Sequence, residues 1–471
     1  MDAIRLTQYG KWLPADVQTP ISLYLGLVGE RPGILLESAE VDGRLGRYSL
    51  IVWDFRLEIF PREGRLALET ADERLAPLAS LSGLPFLEGL RAVMAAIGIA
   101  PGDGLDLPGL TRGLYGWFGY GVSGMLEQKL AKALPPERAQ ARLVLPGRLV
   151  LFDHLRHRCC FLSLDPDARP EFKRADWPLE TSAGLAGQAA ADPGQEDYCA
   201  AVAKGKELIT AGEGIQIVLS TRFSAPVAGD PFQIYRRLRQ ANPSPFMFFM
   251  RFSDGTLLGS SPEMMVRCEA GRLEVRPIAG TRPRGADEAQ DKALAEELLA
   301  DPKERAEHVM LVDLGRNDLG RIATSGSVRV GRFMQVERFS HVMHLTSYVE
   351  AELKPGLDAI DVLAATFPAG TVSGAPKIWA METIAEMEGL DRGPYAGAIG
   401  WIGLDKDAVS LDTGITIRSM WIRDGTCFWQ AGAGIVYDSV PEREWQECNN
   451  KARIILEVLS GGEDGDVFAH R

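Results

Sequence analysis

The chain is poor in cysteine, with six thiols in 471 residues (Cys159, Cys160, Cys199, Cys268, Cys427 and Cys448) and no C-x-x-C pair. That pattern excludes the common zinc frameworks and a disulfide-stapled secreted scaffold, and it points to reduced thiols in a cytoplasmic protein. No apolar run reaches the roughly 18 residues of a membrane helix, and the first residues, MDAIRLTQYGKWLP, hold no signal-like apolar stretch. A positive balance is missing as well. The formal net charge of −13 disfavours nucleic acid and membrane surfaces as partners. Nucleotide fingerprints are incomplete: GAGIVY (432–437) lacks the third glycine of a dinucleotide loop, and GTVSGAPK (370–377) lacks P-loop spacing.

What remains is an ordinary globular composition, 46% hydrophobic and 24% charged, in a chain long enough for two or three domains of about 150 residues. Residues 175–197, ADWPLETSAGLAGQAAADPGQED, carry few large apolar groups and read as a linker. It divides the chain near residue 185 into regions 1–185 and 186–465. Strand-like runs such as GRYSLIVWDFRLEIF fill the first region. In the second, 256–278 and 413–437 read as hairpins turning at EAGR and at Asp424-Gly425. Helix starts are marked by Asp301-Pro302 with Glu304, a capping box, and by Ser439 with Pro441 and Glu442. Hairpins interspersed with helices predict an α+β fold of largely antiparallel sheet covered by helices.

On the last predicted helix Trp445, Cys448, Ala452, Ile455 and Leu459 form the apolar stripe, with Glu444, Glu447 and Lys451 one residue earlier along its border. The helix after Asp301 carries a similar pair, Glu304 and Glu307. E-x-x-E on a helix is ordinarily a solvated face. Four carboxylates meeting in one cleft would need a cation, and Mg²⁺ with oxygen ligands is the natural one. Spacing alone does not make the pairs meet. The stretch VRPIAGTRPRG (275–285) adds a proline-stiffened cationic loop with an unreactive alanine, Ala279, at its centre.

Taken together, GSSPEMMVR (259–267), RPIAGTRPRG, KERAEHVMLVDLGRNDLGR (303–321), RFSHVMHLTS (338–347), FPAGTVSGAPK (367–377), RGPYAGAIGW (392–401) and QAGAGIVYDSVPEREWQECNNK (430–451) resemble the chorismate-utilising enzymes, most closely the anthranilate synthase component I family. The resemblance implies two large antiparallel β-sheets packed as a sandwich with helices outside, and a cleft for Mg²⁺ and chorismate. It puts Glu304, Glu307, Glu444 and Glu447 in the metal shell. Tyr395, Arg418, Gly432, Gly434, Lys451, Gly280 and Thr281 fall at substrate-binding positions, where an arginine fork and glycine amides suit a carboxylate. Catalytic positions fall on Glu263, Thr371, His344, Gln216 and Ala279.

Glu263 would be the general acid that protonates a poor leaving hydroxyl. Relatives that add water have a lysine where this chain has Gln216, which cannot act as that base. Relatives making aminodeoxychorismate often have a nucleophilic lysine at Ala279, so here ammonia would attack the ring directly. If 336–348 is a strand, His341 and His344 face opposite ways, and the family pattern selects His344 as the proton acceptor. LLES (35–38) and NPSPFMFF (242–249) resemble the two segments of a tryptophan inhibitor pocket, which assigns Leu36, Glu37, Ser38, Pro243, Phe246 and Met247 to it. With no cysteine in a glutaminase nucleophile elbow, a separate glutamine amidotransferase subunit is implied as the ammonia source. Two other products of the same resemblance stay open: an aminodeoxychorismate synthase lacking the lysine, and an inactive tryptophan-sensing subunit.

Overall fold

The computed structural model describes residues 3–39, 46–170, 183–338 and 342–461. His341 and residues 171–182, which include the first part of the expected linker, lie outside the described residues. Among the described residues twenty-three strands join in one hydrogen-bonded network. Apart from Ile4–Pro14 beside Ile97–Pro101, which is parallel, the pairs are antiparallel.

The network resolves into two sheets that share two long strands, Tyr48–Arg62 and Ala141–Asp153. The first halves of their pairing, Tyr48–Trp53 with Arg148–Asp153, belong to a sheet that continues through Gly33–Glu37, Phe246–Phe252, Gly255–Ser261, Ser419–Arg423, Thr426–Ile435 and Gln216–Ala228. The other halves belong to a second sheet, which runs through Gly113–Phe118, Ala398–Gly403, Leu411–Ile415, Met264–Glu269, Arg272–Val275, Val342–Glu352 and Arg329–Arg338. A bulge between Phe55 and Leu57 marks the crossing, and bulges are the usual means of turning a strand from one sheet to another. Strands from both sides of residue 185 therefore hydrogen-bond to one another.

Period-two alternation fills the space between the sheets. Along Tyr48–Arg62, Leu50 and Val52 join Leu149, Leu151, Phe248 and Met250 in a core that meets Tyr115 and Ile399 of the second sheet. Ile51 and Trp53 point the other way, into a core with Tyr24, Phe232, Leu238 and Ile455 of the outer helices. Outside the second sheet Phe86, Leu90, Val312 and Leu363 do the same from their helices. Each such side chain contributes on the order of 1.5–3 kcal/mol by leaving water. The expected α+β sandwich is thus observed.

Local signals behave unevenly. The turns at Ala270-Gly271 (φ 49° and 83°) and Asp424-Gly425 (φ 50° and 73°) close tight hairpins, as the turn residues predicted. The apolar stripe of the helix Pro441–Leu459 is buried at Cys448, Ala452, Ile455 and Leu459, while Trp445 is half-buried against Tyr198. Ser439 does not cap that helix. Val440 is the N-cap residue without a side-chain bond, and the Ser439 hydroxyl accepts from Val436 N–H instead.

Candidate functional site

Two adjacent strands of the first sheet stop at the same level and resume in the second. Gly255–Ser261 gives way to Met264–Glu269 across Pro262-Glu263, and Leu411–Ile415 leads to Ser419–Arg423 across Thr416–Arg418. Here the ladder is carried by Ser260 N–H to Arg418 O, 3.1 Å, and Ile415 N–H to Glu263 O, 3.0 Å. Arg418 takes φ 47° to make the turn, a conformation costly for a side chain with a Cβ. The crossover therefore sets Glu263 beside Arg418, and both were assigned to the site from sequence.

Burial raises the Glu263 carboxyl to about 7, against the opposing pull of Thr371, Lys451 and Arg418. The Thr371 hydroxyl lies beside that carboxyl from the short turn Gly370–Val372, yet the pair falls outside regular hydrogen-bond geometry and Oγ1 is a buried oxygen without another partner. Proline-stiffened approach and desolvation make Glu263 a carboxylic acid poised to give up a proton near neutrality.

His344 lies on Val342–Glu352, within reach of the Arg418 charge. The neighbouring strand Ile278–Pro283 bulges between Ala279 and Thr281, with Gly280 at φ 64°. That bulge turns the Gly280 carbonyl onto His344 Nδ1 at 2.9 Å, with Thr281 Oγ1 at 3.1 Å. An Nδ1–H held by the carbonyl leaves the lone pair of the neutral ring on Nε2. Burial, with help from Arg418 and Arg276, lowers the proton affinity of the ring. Ala279 is buried beside it.

The two glutamate pairs approach one another. Burial raises the proton affinity of Glu307, and the nearest charges acting on it are Glu304, Lys451 and Glu447. Glu304 is on the same helix, Pro302–Gly320, while Glu447 and Lys451 belong to Pro441–Leu459. Glu444 is raised by burial too, with its carboxyl bonded to Ser439. The expected capping box is only half made: Asp301 accepts from Lys303 and Glu304 N–H, but the Glu304 carboxylate turns to Arg282, 3.5 Å away. Glu447 pairs with Lys451 at 2.7 Å, and Lys451 Nζ also donates to Gly432 O at 2.9 Å. Among the described residues no three acidic, histidine or cysteine side chains close on one point. The donor set nevertheless suits a hard divalent ion completed by water, since oxygen ligands with mutual repulsion are what such an ion relieves.

Tyr395, buried, presses its hydroxyl on Gly432, where an added Cβ would lie 2.9 Å from it. Gln216 fills the equivalent space at Gly434, 3.0 Å from such a Cβ. Glycine at both positions lets Tyr395 and Gln216 close directly on the strand Thr426–Ile435. Sequence reasoning passed over the buried pair Glu388 and Arg392 against the neighbouring strand Gln216–Ala228, joined at 2.6 Å and 2.8 Å. Only its i,i+4 spacing could have signalled it.

The remaining expected group is split by the pleat. Strand Gly33–Glu37 pairs with Phe246–Phe252, bringing LLES beside PFMFF. Leu36 and Phe246 face the core between the sheets, and the Ser38 hydroxyl is buried without a partner. Met247 faces the outer helices, and its cross-strand neighbour Glu37 accepts from Tyr235 (2.7 Å) and Arg239 (3.0 Å). Pro243 is exposed.

Comparison with known proteins completes the picture. The family model described as chorismate binding enzyme matches residues 81–457. Anthranilate synthase component 1 of Aquifex aeolicus is 42% identical, covering 96% of this chain and 94% of its own length. Its counterpart from Thermus thermophilus is 40% identical over 98% and 99% respectively. Among solved structures, anthranilate synthase component I from Streptococcus pneumoniae superposes with a TM-score of 0.70 at 33% identity, covering 94% of this chain and 99% of that one. The menaquinone-specific isochorismate synthase of Escherichia coli, at 21% identity and TM-score 0.71 over 97% and 95% of the two chains, shares the fold. With its cleft built from the motifs that suggested it, the chain belongs to the chorismate-binding enzyme family and, within it, to the anthranilate synthase component 1 proteins.

Proposed function

We propose that the chain converts chorismate and ammonia to anthranilate and pyruvate, the opening reaction of tryptophan biosynthesis, with ammonia supplied by a glutamine amidotransferase subunit. The observation that carries this reading is the grouping of Glu263, held near 7, with Arg418, Lys451 and Thr371, the same Arg418 also acting on His344.

Glu304, Glu307, Glu444 and Glu447 would hold Mg²⁺ directly or through water, and the bound ion supplies a Lewis-acid grip on a substrate carboxylate. Arg418, Tyr395, Lys451 and the backbone around Gly432 and Gly434 bind the other carboxylate. Glu263 gives its proton to the departing C4 hydroxyl, which leaves as water while ammonia attacks C2. Gln216 cannot activate water, and Ala279 offers no amine for a covalent adduct. Gly280 and Thr281 orient His344, whose Nε2 takes the C2 proton as pyruvate is eliminated and the ring becomes aromatic. Tryptophan is proposed to bind at Leu36, Ser38 and Phe246, with Glu37, Pro243 and Met247 shaping that edge, and to inhibit the reaction.

The test is incubation of purified chain with chorismate, Mg²⁺ and an ammonium salt. Anthranilate fluorescence with stoichiometric pyruvate supports the proposal. An aminated product that keeps its enolpyruvyl group identifies an aminodeoxychorismate synthase instead, and no turnover even with a glutaminase partner identifies a sensor.

A further inference from the structure

We propose that Arg392, together with Glu388, is a positioning residue that aligns Thr371, Tyr395, Gly432 and Gly434 from behind the cleft without touching substrate. The inference deepens the function proposed above and takes chorismate as substrate from it. The Arg392 side chain is 1% exposed and that of Glu388 4%, so neither reaches the cleft.

The bonds of the guanidinium lead, directly or through Glu388, to neighbours of groups assigned to substrate binding. Nε and Nη2 donate to Glu388 at 2.8 Å and 2.6 Å. Nη1 donates to Val372 O at 2.8 Å, next to Thr371. Nη2 also donates to Val218 O at 2.7 Å, and Val218 is the cross-strand partner of Gly434. Glu388 Oε1 accepts from Ser220 N–H at 2.8 Å and Ser220 Oγ at 2.7 Å, and Ser220 lies opposite Gly432. The cation sits over the rings of Tyr395, 5.6 Å from its centroid, and Tyr120, 4.6 Å. One planar fork thus ties a turn, a strand, a helix and two aromatic rings.

A buried ion pair gives little net stability over an apolar pair of the same shape; its distinct effect is to fix geometry. Arg392→Lys keeps the charge but cannot span Glu388, Val372 and Val218 together. The Kd of chorismate with Mg²⁺, measured by titration calorimetry, should weaken about tenfold or more through misplacement of the carboxylate-binding groups. Maximal turnover should fall much less than affinity, and the KM for ammonium should stay constant. Ser220→Ala, a milder cut into the same network, should weaken chorismate binding about two- to threefold. A folded R392K chain with wild-type Kd overturns the proposal, as does a lowered Tm with unchanged affinity in the folded fraction. If R392K does not fold, S220A decides, and an unaltered Kd overturns it. A wild-type chain that binds chorismate but makes no anthranilate sinks the proposed function alone, because the positioning role is read from Kd; a wild-type chain that does not bind chorismate overturns both.

Discussion

A carboxyl that burial pushes up to about 7 makes two demands on one residue. Glu263 must be protonated to act as an acid, so at fixed free ammonia kcat should decline as pH rises above about 7. A profile flat to pH 9 would remove the acid role. Burial lowers His344, so the proposed base stays neutral below the usual histidine range and the acid limb of the profile should lie under it. The same burial bears on stability. With a folded value above the ordinary 4.5, the native state holds an extra proton, and its stabilising effect is complete below 4.5 and lost as pH climbs through about 7. Glu263→Gln should therefore cut kcat by about 10²–10⁴ while raising Tm at pH 8. Calorimetry and steady-state kinetics on one preparation test both.

At the scale of elements, the bulge at Gly280 is a lever between a strand and a helix. A Cβ there would meet Leu298 Cδ1 at 2.9 Å and Glu304 Oε2 at 3.1 Å, at a φ of 64°. Gly280→Ala should cost about 1–2 kcal/mol in backbone strain, shift the carbonyl that holds His344, and lower kcat with little change in secondary structure by circular dichroism. The two glutamate-bearing helices repel each other through Glu307, Glu304 and Glu447, so a bound cation should tighten them. Added Mg²⁺ is expected to raise Tm in proportion to the logarithm of its concentration above Kd. Glu307→Gln should raise Tm without metal and shrink the metal-dependent increase; an equal increase in the variant would remove Glu307 from the ion's shell.

Elements also show where sequence was readable. EAGR and Asp424-Gly425 announce themselves because left-handed turn residues carry a local cost that few side chains tolerate. The interruptions at Pro262-Glu263 and Thr416–Arg418 did not, since apolar alternation continues on both sides and Arg418 turns without a glycine. Spacing gave both glutamate pairs but not their meeting, which depends on two helices far apart in sequence. Motif resemblance named Glu263, Arg418 and His344, yet the split of Leu36 and Phe246 from Glu37 and Met247 follows only from the pleat. Arg392 was passed over because its i,i+4 spacing from Glu388 is equally that of an ordinary solvated pair.

For the whole molecule, the shared strands make the two sheets one folding unit. Their crossing is packed tightly around Gly147, where an added Cβ would lie 2.3 Å from Arg56 Nε and 2.8 Å from Asp54 Oδ2. Gly147→Val should destabilise by about 1–3 kcal/mol through overpacking, and unfolding should remain a single transition in denaturant. Separate transitions for the two sheets would contradict that unity.

The paired interruptions at Glu263 and Arg418 carry one more consequence. Where a ladder halts and restarts on another layer, side chains escape the strict up-and-down rule of a pleated ribbon. Reactivity and architecture are consequently written in different short stretches of the same strands, so the groups at this junction are open to exchange for other chemistry while the scaffold on either side stays as it is.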